Sequence, residues 1–173
     1  ESLPFDVQLL VPLQFVLCSR MCKPVDFEGD KNFYDEYSET LLLLFKMHRG
    51  DILNIIIEKI DGPQFNPNEM MSWIFSLGSV PGICEDAEEA GLLTTVFNIL
   101  IRYASQNTPE SSESQSEQGA ENLSMITASF LYLSGQYTRF LKMHRQFFDL
   151  AIRRIEDCLI NGRPQIQLVA LHS

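Results

Sequence analysis

The chain has 173 residues, 45% of them hydrophobic, with a formal net charge of −10. That composition suits one compact domain or a few stacked repeats and excludes a disordered polymer. The acidic balance argues against binding to a phosphate backbone, which needs clustered Lys and Arg.

Long apolar segments recur at helical spacing, and none alternates over strand length. The first helix is expected from about Pro4 to Met21, followed by a breaker stretch, Lys23 to Asp30, with Pro24 and Gly29. A second helix is expected over Lys31 to His48, its face marked by Tyr37, Leu41, Leu44 and Phe45. Gly50 separates it from a short third helix, Asp51 to Ile60, which Asp61-Gly62-Pro63 closes. The fourth starts near Asn66, where Pro67 fits the first helical position. It carries Met70, Met71, Trp73, Ile74 and Leu77 and stops at Pro81-Gly82. The fifth spans Asp86 to Ser105, with Asp86, Glu88 and Glu89 in a first turn that favours negative charge.

Residues Gln106 to Glu121 are rich in Ser, Glu and Gln, and a solvated, flexible acidic loop is expected there. A sixth helix follows from about Leu123 to Tyr137 and a seventh from about Leu141 to Asn161. Gly162 and Pro164 end the seventh, and an eighth begins near Gln165. Antiparallel helices with mostly short connections fit an α-solenoid and fit a plain helical bundle equally well. The absence of strict repeats decides little between them, because helical repeats are degenerate.

The fifth and seventh helices have apolar arcs wider than one-sided packing requires. Leu92, Leu93, Val96, Phe97, Ile99, Leu100, Ile101 and Ala104 cover roughly 200° of the fifth at about 100° per residue. Phe147, Phe148, Leu150, Ala151, Ile152, Ile155, Cys158 and Leu159 cover a similar arc of the seventh, with Arg154 inside it. Such a charge either snorkels to water or rims a groove and selects what enters it. Two helices of this kind can wall a groove for an amphipathic peptide helix. They can equally be buried inside a larger solenoid.

Chemistry-bearing constellations are missing. The sequence has no phosphate loop, H-E-x-x-H pair or nucleophile elbow. Capping explains the carboxylates at Glu85 to Glu89. Cys18, Cys22, Cys84 and Cys158 and the scattered His48, His144 and His172 do not make a zinc pattern. The cysteines are expected as free thiols in a reducing compartment. No enzyme activity, cofactor or metal is expected, and no apolar run reaches the length of a membrane span. The start without Met and the end at His172-Ser173 suggest cuts from a longer protein.

Several segments, in order, resemble the family of the major nuclear exportin, the karyopherins that receive leucine-rich export signals. They are Ser19-Arg20-Met21-Cys22-Lys23-Pro24, Glu39-Thr40-Leu41, Glu58-Lys59, Leu77-Gly78-Ser79-Val80-Pro81-Gly82 and Gly135-Gln136-Tyr137-Thr138-Arg139-Phe140-Leu141. The resemblance covers almost the whole chain. It implies an all-α fold, an α-solenoid of HEAT-type antiparallel helix pairs, with residues 1–173 forming about four repeats of a larger ring.

By that resemblance an export-signal groove lies between the fifth and seventh helices. Phe97, Ile101 and Ala104 would form one wall, and Phe147, Leu150, Ala151, Arg154, Ile155 and Cys158 the other. Ala128, Tyr132, Phe140 and His144 would line the floor. The implied partners are export-signal peptides of cargo, Ran-GTP acting mainly outside this stretch, and nuclear pore proteins; no nucleic acid or membrane is implied. The implied localisation is nuclear and cytoplasmic, by shuttling through pores. The main alternative is a HEAT-repeat import receptor or scaffold without such a groove.

Three departures from the family stand out. Ala104 occupies the place of a groove cysteine that leptomycin-type inhibitors alkylate in many members, so insensitivity is expected, with Cys158 a second candidate thiol. Only about Val25 to Asn32 remains of a long hairpin loop that couples the GTPase switch to groove closure. The Ser/Glu-rich loop is longer than its counterpart and lacks its lysines, whereas Arg154 keeps the basic character of a groove-narrowing lysine.

Overall fold

The computed structural model describes residues 31–62, 66–106 and 117–161. The expected first and eighth helices and the shortened hairpin at Val25 to Asp30 lie outside them. The described residues contain six helices and no strand, as the apolar spacing requires. They fall into two compact units that meet in sequence at Glu85 and Asp86.

The first unit pairs α1 (Lys31–Ile60) with α2 (Pro67–Gly78). Leu41, Phe45, Ile52, Ile56 and Ile60 sit one or two turns apart along α1, and all are at most 1% exposed. They pack with Met70, Trp73, Ile74 and Leu77 of α2, which are equally buried. This shared stripe supplies the tertiary packing from which most of the stability of a helix in a folded protein comes. The sequence separates two helices at Gly50. The break falls two residues earlier, at His48, whose φ of −137° and ψ of 41° leave the helical region. Past it, the apolar stripe resumes at Ile52.

Asn66 caps α2: its Oδ1 accepts the backbone N–H of Glu69 at 3.3 Å, with Pro67 at the first helical position. At the other end the Ser79 hydroxyl donates to the Phe75 carbonyl at 2.8 Å. Gly82 then turns the chain with φ 76°, a conformation that side chains resist. At Gly62 the constraint is space, since a Cβ there would lie 3.1 Å from the Glu58 carbonyl oxygen.

The second unit holds α3 (Asp86–Gln106), α4 (Glu117–Gln136), α5 (Thr138–Met143) and α6 (Arg145–Asn161). Helix α4 packs against both α3 and α6, and α5 closes the corner between α4 and α6. Two expectations are corrected here. Residues Glu117 to Glu121, read as part of the acidic loop, are the first turns of α4. Glu, Gln and Ala are good helix formers, so the lack of large apolar residues in this stretch did not argue against helix. The seventh helix does not begin at Leu141. The chain breaks at His144 (φ −117°, ψ 75°), so Leu141 belongs to the short α5 and the long helix starts at Arg145. The His144 N–H donates to the Phe140 and Leu141 carbonyls, which satisfies the end of α5 without a glycine or proline.

Candidate functional site: a cleft between α3 and α6 over α4

Helix α3 buries nearly all of its wide arc. Leu92, Leu93, Val96, Phe97, Ile99, Leu100, Tyr103 and Ala104 are buried, and Ile101 is half-buried. Helix α6 divides its arc in two. Phe147, Ala151 and Cys158 turn inward at 2%, 3% and 7% exposure. Phe148, Ile152 and Leu159 remain on the outside, and Leu150 and Ile155 lie between. Arg154 belongs to the inward stripe by spacing, since 147, 151, 154 and 158 follow i, i+4, i+7, i+11.

The two helices meet at an aromatic cluster. The Phe97 ring lies 5.3 Å from Phe147 and 5.7 Å from Phe140, both stacked, and 5.0 Å from Phe130 edge-on. Phe140 also stacks on His144 at 4.2 Å and on Phe147 at 5.7 Å. The separations between the phenylalanine rings lie in the favourable range for aromatic pairs. Phe97 and Phe147, expected as facing walls, therefore touch each other and fill the space between the helices at this level.

Beyond the cluster α3, α4 and α6 leave a narrow cleft, partly open to solvent, with room for about one water molecule. Leu100, Ile101 and Ala104 line it from α3, Ile126, Thr127 and Phe130 from α4, and Leu150 and Arg154 from α6. Of the expected residues, Ile101, Ala104, Leu150 and Arg154 come together here. Phe97, Phe140, His144 and Phe147 form the cluster that closes one end. Ala151 and Cys158 are buried on the inward face of α6, and Ile155 is half-buried; none of the three is in the cleft lining. Ala128 and Tyr132 are half-buried on α4 and are likewise absent from the lining.

Four lining residues were not anticipated: Leu100, Ile126, Thr127 and Phe130. Ile126 and Phe130 are an i, i+4 apolar pair, a signal the sequence did contain.

Electrostatically the cleft has one cation. Arg154 is half-buried among apolar neighbours. Burial raises the Cys158 thiol above its ordinary range; the nearby Arg154 charge acts against that and Asp157 adds to it. A thiol held protonated is a poor nucleophile. At the rim of this unit Arg139 donates to the Asp86 carboxylate, tying α5 to the first residue of α3 across exposed surface. No group of His, Cys, Asp and Glu among the described residues is placed to hold a metal ion.

No family model matches the sequence. Individual proteins do. Exportin-1 of Dictyostelium discoideum is 26% identical over 141 residues, covering 79% of this chain. Exportin-1 of Drosophila melanogaster is 24% identical over 187 positions, covering 96% of it. The chain resembles exportin-1. It spans 12% and 17% of the length of these two relatives. A plant relative, EXPORTIN 1A of Arabidopsis thaliana, is 22% identical over 141 residues. The Drosophila alignment is longer than the whole 173-residue chain, so that exportin-1 has additional residues within the matched stretch. The paired helices described above agree with the HEAT-type architecture that the exportin-1 likeness implies.

Proposed function

We propose that this chain is part of a nuclear export receptor, a stretch of about four HEAT repeats from a larger ring, and that the cleft between α3 and α6 receives leucine-rich export signals of cargo. One observation carries the proposal: the cleft opens between the two helices with over-wide apolar arcs, in a chain that matches exportin-1 along most of its length. An amphipathic peptide helix presents apolar anchors at i, i+3, i+4 and i+7, which suits a groove between two helices.

Burial of four or five such anchors contributes a few kcal/mol each before ordering costs, so affinity is about micromolar. Binding of Ran-GTP elsewhere on the ring then raises cargo affinity, and cargo raises Ran-GTP affinity by the same factor. The receptor shuttles between nucleus and cytoplasm through contacts with nuclear pore proteins. Part of any cargo affinity is spent in separating Phe97 from Phe147 when the bound peptide extends past the cleft.

An import receptor of the same architecture fits less well. Basic import signals call for an acidic surface with exposed tryptophans, and Trp73 is fully buried.

The test is fluorescence polarisation with a labelled leucine-rich export peptide, using a peptide with alanine at the anchors as control. Saturable binding of the first alone supports the reading. If the folded chain binds neither, the titration is repeated with the full-length protein and Ran-GTP, and failure there refutes it.

A further inference from the structure

Helix α3 ends beside the cleft. Its last turn holds Ala104, which lines the cleft, and the exposed Ser105 and Gln106. The Ser105 hydroxyl donates to the carbonyl of Ile101, another lining residue, at 3.0 Å. The turn has no basic side chain to face the partial negative charge of its terminal carbonyls. Arg102, just before it, has its guanidinium 5.2 Å from the centre of the Tyr103 ring. An added negative charge at Ser105 meets no cation within the turn.

Ser105 and Gln106 form one of two Ser-Gln pairs in the sequence, the other being Ser114-Gln115. One class of serine kinases selects its hydroxyl by a glutamine immediately after it. Among the described residues Ser105 is the only hydroxyl with that neighbour, and it is exposed.

We infer that Ser105 is a phosphorylation site of such a glutamine-directed kinase, and that a phosphate there loosens the α3 wall and weakens peptide binding in the cleft. This rests on the reading of the cleft as an export-signal site and supplies its regulation. In the reaction the Ser105 Oγ bonds to the γ-phosphorus of magnesium-bound ATP. The bond from that phosphorus to ADP breaks, and the hydroxyl proton passes to the kinase's catalytic carboxylate. The product carries about two negative charges at pH 7 and has lost the proton that bonded the Ile101 carbonyl. Negative charge at the C-terminal end of a helix opposes the macrodipole. Pairing with Arg102, three residues back, draws that guanidinium off the Tyr103 ring and so recovers little. The last turn frays, and Ala104 leaves its place in the lining.

The experiment treats the intact protein with a glutamine-directed serine kinase and magnesium ATP, beside Ser105→Ala and Gln106→Ala. Peptide mapping locates the phosphate, and a Ser-Gln reference peptide in the same tube reports that the kinase is active. Wild type takes up a phosphate at Ser105, and Gln106→Ala takes up little there. Amide hydrogen exchange in the last turn of α3 then quickens. A labelled leucine-rich peptide, titrated with Ran-GTP present, binds the phosphorylated protein about fivefold more weakly. Kinase-treated Ser105→Ala binds it as untreated wild type does, which removes any effect of phosphate at Ser114 or elsewhere.

No phosphate at Ser105 while the reference peptide is modified overturns the inference. So does a protein phosphorylated at Ser105 that binds the peptide as tightly as before. If the unmodified protein holds the leucine-rich peptide no better than its anchor-alanine control, the export-signal reading falls and this inference with it.

Discussion

Replacing Phe97 by Ala removes the ring at the centre of the second unit. Phe97 is fully buried and touches Phe130, Phe140 and Phe147 with centroids 5.0 to 5.7 Å away. A buried Phe→Ala change costs about 3–5 kcal/mol through lost transfer energy and the cavity left behind. Three aromatic partners lose their contacts together, which places this site toward the upper end. A domain of this size is stable by only about 5–15 kcal/mol, so the variant sits near the edge of folding. Phe148 provides the internal control, one type of residue on the neighbouring helix but 36% exposed. Its replacement by Ala costs about 1 kcal/mol or less. Urea unfolding followed by circular dichroism, with linear extrapolation, measures both. A Phe97→Ala loss no larger than that of Phe148→Ala would refute the packing of the cluster and, with it, the contact that joins α3 to α6.

Three other expectations concern single positions. Ala104→Cys places a thiol in the cleft lining, and a leptomycin-type electrophile labels that variant but not the wild-type position, as peptide mapping by mass spectrometry will show. Cys158 reacts with iodoacetamide more slowly than the half-exposed Cys84, because burial raises its pKa and holds it protonated at neutral pH; its reaction accelerates only at pH values above the usual thiol range. Equal rates for the two thiols at pH 7 would contradict the burial of Cys158. Gly82→Ala forces a side chain into a positive-φ turn and lowers stability by about 1 kcal/mol, measurable as a shift of the thermal midpoint.

The helices were legible because their cores follow one period. The stripe Leu41, Phe45, Ile52, Ile56 and Ile60 and the arc of α3 both became buried faces. What the period could not show is where a helix breaks without a breaker residue. His48 and His144 both leave helical geometry with no proline at the site, and at His144 the apolar pattern runs on from Phe140 and Leu141 to Phe147. At that break Phe140 stacks on both His144 and Phe147, and the His144 ring lies tilted 6.4 Å from Phe147, contacts between rings that no local signal in the sequence marks. In the same way, wheel geometry marked α3 and α6 as over-wide but could not say that their aromatic residues meet. Only the depth of each side chain separates the closed cluster at Phe97 from the open cleft at Ile101 and Ala104. The floor was read by resemblance as Ala128, Tyr132, Phe140 and His144; the side chains of α4 that line the cleft are Ile126, Thr127 and Phe130. On a helix an offset of one or two residues turns a side chain through about 100° or 200°, so the spacing of apolar residues alone does not single out which of these neighbours faces the cleft.

Two one-residue joints, Tyr137 and His144, connect α4, α5 and α6. A joint of that length has no slack. Helix α6 can tilt about the two dihedrals of His144, but it cannot slide away from α5. The chain is equally intolerant of added length at this point. One inserted residue would advance α6 by about 100° around its axis, turning Arg154 and Phe147 aside and bringing Gln146, Leu150, Arg153 and Asp157 into the places of the inward stripe. A point mutation alters the contacts of one side chain, whereas a single-codon insertion at this elbow would exchange the whole wall of the cleft.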